Sequence, residues 1–464
     1  MRRTALAFAL TLLLSLPLQA RQPTRIDDGS MARAAQLREV AQQDDTGWKV
    51  VESLTTEVGP RLAGSEGDAR AVEWAKAKFK ALGYDKVWTE PVTFPKWERR
   101  GESARIVGAH AQRLQVTALG GSPGGKVEAE VVRFESLEAL QKVAPGSLAG
   151  KIAFVDYRMT RARDGSGYGP GSRVRSGGPS AAIRAGAIGY LMRSAGTDSH
   201  RNPHTGITRF DDGLKPIPSA ALASPDADQL ARLLALGPVT VALDLDSGWT
   251  GEYTSHNVIG EITGRSKPDE VVVIGGHLDS WDLGTGAIDD GAGVAITMAA
   301  GHLIGRLPAA QRPARTIRVV AFANEEQGLY GGRAYAQEYV ADLRKHQFGA
   351  ESDFGAGRIY AFGAKTPDHA KDAVARIAQA LAPLGIEHRV DGEGCGPDLS
   401  PFNDAGMACA GLAQDGTDYF DLHHTPDDTL DKIDPRALAQ NVAAYTVFAY
   451  LAADAVGDFG SAPK

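Results

Sequence analysis

The stretch Val271-Val272-Val273-Ile274-Gly275-Gly276-His277-Leu278-Asp279 decides the fold. Residues 271–276 carry no polar side chain, so they read as a strand covered on both faces, as in parallel sheets. Helical spacing follows over 292–303, then a second buried strand over 316–323. A shorter strand ends near Asp353. Thr366-Pro367 opens a helix with Ala370, Val374, Ile377 and Leu381 on one face. Asp434-Pro435 opens the last one, with Leu438, Val442, Tyr445 and Phe448 inward. This alternation predicts an α/β fold, a mainly parallel sheet sandwiched by helices.

Working outward, 30–43, 48–58 and 67–82 show helical spacing, punctuated by Gly59-Pro60 and Gly64-Ser65. The texture changes at 116. Short β-rich runs at 128–134, 151–157, 189–192 and 239–245 alternate with Gly-, Ser- and Arg-rich stretches. The segment 158–178, with six Gly and five Arg, reads largely as loop. The expected organisation is therefore a main domain over 21–115 and 251–464, with a small β-rich domain inserted over 116–250.

The 464 residues, 43 % apolar and 23 % charged, suffice for two or three domains and exclude a disordered or fibrous chain. A formal charge of −7 carries no basic footprint, so nucleic acid is not expected as a partner. Two cysteines make neither a disulfide scaffold nor a thiolate zinc site; Cys395 and Cys409 either pair or stay free. Arg2 and Arg3 precede an apolar run over 5–18 and the small Ala20, which predicts a signal peptide over 1–20 and export to the periplasm or beyond. That run is too short to span ~30 Å of hydrocarbon, and no later stretch is a candidate, so no stable membrane anchor is expected.

Ligands of open α/β sheets bind beyond the carboxyl ends of the strands. There the apolar strands run into His277-Leu278-Asp279, Asn324-Glu325-Glu326 and Glu351-Ser352-Asp353. Asp289-Asp290 lies on the loop after the first strand, and His423-His424 lies in a late loop ahead of Asp427 and Asp428. So many acids on one edge repel one another unless a cation neutralises them. Histidine and carboxylate without thiolate suit zinc, with manganese or cobalt behind it; a structural ion-pair network is the alternative.

These residues occur with Gly59-Pro60-Arg61-Leu62, Trp97-Glu98-Arg99, Pro203-His204-Thr205-Gly206-Ile207, Ser280-Trp281-Asp282 and Gly392-Glu393-Gly394. Together, from about residue 45 to 455, they resemble the co-catalytic di-zinc exopeptidases, a family of aminopeptidases and carboxypeptidases. The inserted segment is similar to that family's protease-associated domain. The resemblance implies two Zn²⁺ per chain bridged by Asp289, with His277 and Asp353 completing one site and Glu326 and His424 the other. Asp279 would accept from the His277 ring and fix its tautomer. Glu325 would be the general base, taking a proton from a water held between the ions and passing it to the departing amine. Adjacent residues on a strand point to opposite sides, which would separate the roles of the two glutamates.

Three residues are left with two roles each. His423 stands where aminopeptidase relatives carry a tyrosine that donates to the developing oxyanion, or it only packs. His204 reaches the cleft or decorates a loop, and Asp428 orients His424 or caps a turn. The implied substrate is a dipeptide or short peptide with free termini, and a homodimer is implied with it. A broad aminopeptidase is the alternative, and a glutaminyl cyclase-like transferase or a non-catalytic binding protein are remoter ones.

Overall fold

The computed structural model describes residues 22–464; the expected signal peptide lies outside them. Strand Lys267–His277 is the centre of the sheet, parallel to Arg315–Phe322 on one side and His346–Glu351 on the other. Beyond His346–Glu351 come Cys409–Gln414, parallel, then Ile359–Lys365, antiparallel, then Glu387–Arg389. Beyond Arg315–Phe322 lies the antiparallel Thr240–Ile262. The sheet is mainly parallel, as expected.

Helices Ala292–Gly305 and Pro435–Asp454 cover one face, and their apolar sides join Val272 and Ile274 in the largest core cluster. Asp434 caps the second of them by accepting from Arg436 N–H, leaving Pro435 in the first turn, where no hydrogen bond is lost. Val271 and Val273 point the other way, into a cluster with Phe322 of the neighbouring strand and with Tyr335 and Phe402 from helices Tyr330–Tyr339 and Ser400–Ala405. Phe322 stands opposite His277 and Glu351 opposite Gly275, so three strands end together at one edge. Register alone thus gathers the acids and histidines that follow them.

Strands Lys86–Val107 and Thr240–Ile262 form one long antiparallel ribbon, with irregularities at Pro95/Trp97 and Arg99/Gly101. The ribbon leads away from the main sheet to a second group of strands: Gly125–Phe134, Ile152–Val155, Gly189–Arg193, Ser219–Leu222 and Val116–Ala118. The expected boundary at 250 falls inside a strand, because a continuous ribbon rather than a linker joins the two groups.

A second expectation fails here. The stretch 158–178, expected to be largely loop, belongs from Tyr168 onward to a helix, Tyr168–Arg184, despite four glycines and two prolines. Tertiary packing overrides its poor propensity. Its own Val174, Ala181 and Ala182 are buried, and a Cβ at Gly178 would lie 2.0 Å from the Tyr190 hydroxyl. That hydroxyl donates to the Val174 carbonyl at 2.9 Å. The glycine admits a close neighbour here; it does not break the helix. Cys395 and Cys409 are joined as a disulfide, with Cα atoms 5.2 Å apart.

Candidate metal centre

His277 ends the central strand, fully buried. Its Nδ1 donates to the Asp279 backbone carbonyl at 3.0 Å; a carbonyl can only accept, so the tautomer is fixed by the main chain. The expected partner, the Asp279 carboxylate, is 3.6 Å away and instead accepts the Glu325 N–H at 3.0 Å. Nε2 of His277 faces Asp289 Oδ1 at 3.1 Å and Asp353 Oδ1 at 3.5 Å. Across the site, Nε2 of His424 is 3.2 Å from Asp289 Oδ2 and 3.0 Å from Glu326 Oε2. The Asp289 carboxylate thus offers one oxygen to each imidazole.

Glu325 and Glu326 do not lie on a strand. Arg315–Phe322 has ended, Asn324 is left-handed at φ 49°, and the Glu325 carbonyl accepts from Gly328 and Leu329 in a turn. The turn, not strand alternation, places the pair, and both glutamates line one cavity of about 390 Å³. Asp289, Asp353, His423 and His424 line it too. Glu326 Oε2 also accepts the Trp281 indole N–H at 2.7 Å, while its Oε1 is buried without a partner.

Burial pushes the Glu325 carboxyl well above the usual range, and Asp353 and Glu326 add to it, against His277. Burial acts the same way on Asp289, but the hydrogen bonds from His277 and His424 prevail and hold it well below. Burial opposes a charge on His424, yet Glu326 and Asp289 lift it to about 10. The buried charge of Asp289 is thus balanced by protons on the imidazoles that face it. The sets His277, Asp289, Glu326 and His277, Asp290, Asp353 and Asp289, His423, His424 each bring ligand atoms within 4.8 Å. Two imidazoles, three carboxylates and an unpartnered Glu326 oxygen fit a pair of borderline dications.

Asp290 belongs to the scaffold: its oxygens accept from His277 N–H and Gly293 N–H, both at 3.1 Å, tying strand end to helix start. Asp428 makes no hydrogen bond to His424. Its carboxylate accepts from Ile288 N–H at 2.6 Å and Asp289 N–H at 3.2 Å, and burial raises its pKa to about 7. His424 is oriented by the Thr205 carbonyl, which accepts from Nδ1 at 3.1 Å. His204 turns to Asp198 at 2.8 Å and does not line the cavity. His423 stacks on His424 with centroids 3.4 Å apart, its Nε2 3.5 Å from Asp289 Oδ2. Burial and the neighbouring His424 keep His423 neutral.

Sequence reasoning assigned no role to Trp281, Thr205 or Arg61. Arg61 is fully buried and donates to the carbonyls of Leu278 and Thr285, at 2.6 Å each, and of Gly286, at 2.8 Å. It clamps the loop that carries Asp289. The signal available was the Gly59-Pro60-Arg61 segment itself.

A model of peptidase family M28 matches residues 257–449. Carboxypeptidase Q of Mus musculus is 33 % identical over 405 residues, 86 % of this chain and 84 % of its own. The chain belongs to peptidase family M28 and is a metallopeptidase. Carboxypeptidase Q of Homo sapiens is likewise 33 % identical, over 410 residues, with the same shares covered. Among solved structures, a peptidase M28 precursor from Shewanella amazonensis matches at TM-score 0.91 and 50 % identity, over 94 % of this chain and 100 % of that one. A zinc aminopeptidase from Bacillus subtilis shares the fold at TM-score 0.64 and 19 % identity, over 89 % of this chain and 98 % of that one.

Proposed function

We propose that the protein is an exported di-zinc exopeptidase that hydrolyses dipeptides or short peptides with free termini. The observation that carries this is Asp289, whose two oxygens face two separate imidazoles at 3.1 and 3.2 Å. His277 and Asp353 would hold one zinc, Glu326 and His424 the other, with Asp289 shared. Two such ions supply Lewis acidity for the peptide carbonyl and for the attacking water.

Glu325 then acts as the base. Its backbone N–H is held by Asp279, and its carboxyl lines the cavity, where burial raises its affinity for a proton. It takes the proton from the attacking water and delivers it to the amine nitrogen as the peptide bond breaks. His423, neutral and against Asp289, is placed to donate to the developing oxyanion. The segment 116–250 acts as an inserted protease-associated-like unit, closing the cavity with Tyr168, Ser172, Arg175 and Ile207. Residues 1–20 would be removed on export, and the subunits would pair as a homodimer.

The test is a panel of dipeptides, N-blocked peptides and C-amidated peptides with the zinc-loaded protein. Cleavage of free dipeptides supports the reading, cleavage of long amidated peptides from the N-terminus would convert it to a broad aminopeptidase, and no cleavage defeats it.

A further inference from the structure

The cavity beside the candidate centre holds one cation whose charge is unmet. Arg175, from helix Tyr168–Arg184, is 7 % exposed and lines the same cavity as Glu325 and His424. Arg99 and Arg193, whose side chains are also buried, pair with acids: Arg99 with Asp282 and Glu102, Arg193 with Asp156 and Asp228. Arg61 has no ion pair among the described residues, but its Nε, Nη1 and Nη2 all donate to main-chain carbonyls and it does not line the cavity. Arg175 has no ion pair among the described residues either. Its Nε donates to the Ile207 carbonyl at 3.2 Å, Nη1 to the Thr205 carbonyl at 3.4 Å, and Nη2 to the Tyr168 hydroxyl at 2.7 Å. Those bonds use three of the five N–H groups of a guanidinium. A buried cation without a counter-charge is costly, and a ligand that brings one recovers that cost.

The guanidinium is also held in place by design of the backbone. Gly206 has φ 131°, and a Cβ there would lie 2.5 Å from the guanidinium carbon. Only glycine allows the Pro203–Ile207 segment to lie flat against Arg175. The same segment supplies the Thr205 carbonyl to His424, so one loop fixes the cation and the histidine relative to each other. Tyr168, which accepts from Arg175, stands edge-on to His423 with centroids 5.0 Å apart.

We infer that Arg175 is the residue that binds the free C-terminal carboxylate of the substrate. A planar fork with two unused N–H groups matches a carboxylate. The inference rests on the exopeptidase reading above and adds the terminus that is read.

Ala-Phe and Ala-Phe-amide are compared with the zinc-loaded wild-type protein, with Arg175→Met and with Arg175→Lys. The wild type should favour the acid over the amide in kcat/KM by about a hundredfold, the size expected when one partner of a buried charge pair is removed. Arg175→Met should bring the ratio close to one, and Arg175→Lys should restore part of it. A wild type indifferent to amidation overturns the inference even if Arg175→Met fails to fold, and so does a variant that loses both substrates equally. If the wild type cleaves neither, the exopeptidase reading fails and binding decides. Phenylalanine should then bind more tightly than phenylalaninamide, by a margin that Arg175→Met removes; equal binding overturns the inference.

Discussion

His424 and Thr205 bind each other twice. The ring Nδ1 of His424 donates to the Thr205 carbonyl at 3.1 Å, and the Thr205 N–H returns a bond to the His424 carbonyl at 3.0 Å. The segment that carries Thr205 comes from the far group of strands, so that part of the chain sets the orientation of a candidate zinc ligand. The Thr205 hydroxyl anchors the segment in turn, donating to the Ala118 carbonyl at 2.9 Å and accepting from Arg99 at 3.0 Å. Thr205→Val keeps the shape and the carbonyl but removes both anchors. Loss of a group that orients a ligand weakens metal binding by about 10–100-fold. Competition with a chelator should show one ion released more readily, with activity recovering in excess zinc. Unchanged release would mean that the hydroxyl does not hold the segment.

The shared carboxylate gives a second expectation. Asp289 serves both proposed ions, whereas His424 serves one, so Asp289→Ala should disrupt both sites and His424→Ala chiefly one. Elemental analysis should find about two zinc per chain in the active wild type. Asp289→Ala should be close to metal-free and His424→Ala nearer one. Chelation should abolish wild-type activity and zinc restore it. Two ions bound at normal affinity in Asp289→Ala would refute the bridging role.

A third expectation concerns pH and lies away from the cavity. Asp68 is buried and accepts from Gly64 N–H at 2.8 Å and the Ser255 hydroxyl at 2.6 Å, fastening the Gly64-Ser65 turn to the ribbon. Burial outweighs those bonds and raises its pKa from 3.8 to about 6. The folded state therefore holds this proton more tightly than the unfolded one. The resulting stabilisation is complete below about pH 4 and is lost as pH rises through about 6. Two pKa units correspond to about 3 kcal/mol. Asp68→Asn cannot titrate, so its urea stability relative to wild type should improve by up to that amount between pH 4 and pH 7. A difference that stays flat with pH would contradict it.

The legible part of the molecule is the part built from local pattern. Residues 271–276 announce a doubly covered strand, and the rule for open parallel sheets then puts His277, the two glutamates and Asp353 at one edge. What escaped depends on contacts between distant segments. The glycines of Tyr168–Arg184 look like breakers until Tyr190 is seen against Gly178. Glu325 and Glu326 are placed by a turn that runs between two left-handed residues, Asn324 and Leu329, which no spacing signals. The groups that orient both histidines are main-chain carbonyls, of Asp279 and Thr205, and a carbonyl carries no sequence signature.

The adjacent glutamates provide the sharpest separation of roles. Glu326 Oε2 lies 3.0 Å from His424 Nε2 and 2.7 Å from the Trp281 indole, in a set of atoms close enough to share an ion. Glu325 belongs to none of those sets, yet it lines the cavity and has its N–H fixed by Asp279. Glu326→Gln exchanges a carboxylate for an amide that binds a dication poorly, so metal content and activity should fall together. Glu325→Gln preserves shape and both ions but cannot accept a proton from water. Removal of a general base costs about 10²–10⁴ in rate, and here the loss should fall on kcat, because the ground-state contacts survive. Metal analysis and steady-state kinetics on the two purified variants decide the matter. A Glu325→Gln enzyme that keeps more than about a tenth of the wild-type kcat is incompatible with a base of that strength. One that loses its zinc would exchange the roles of the pair.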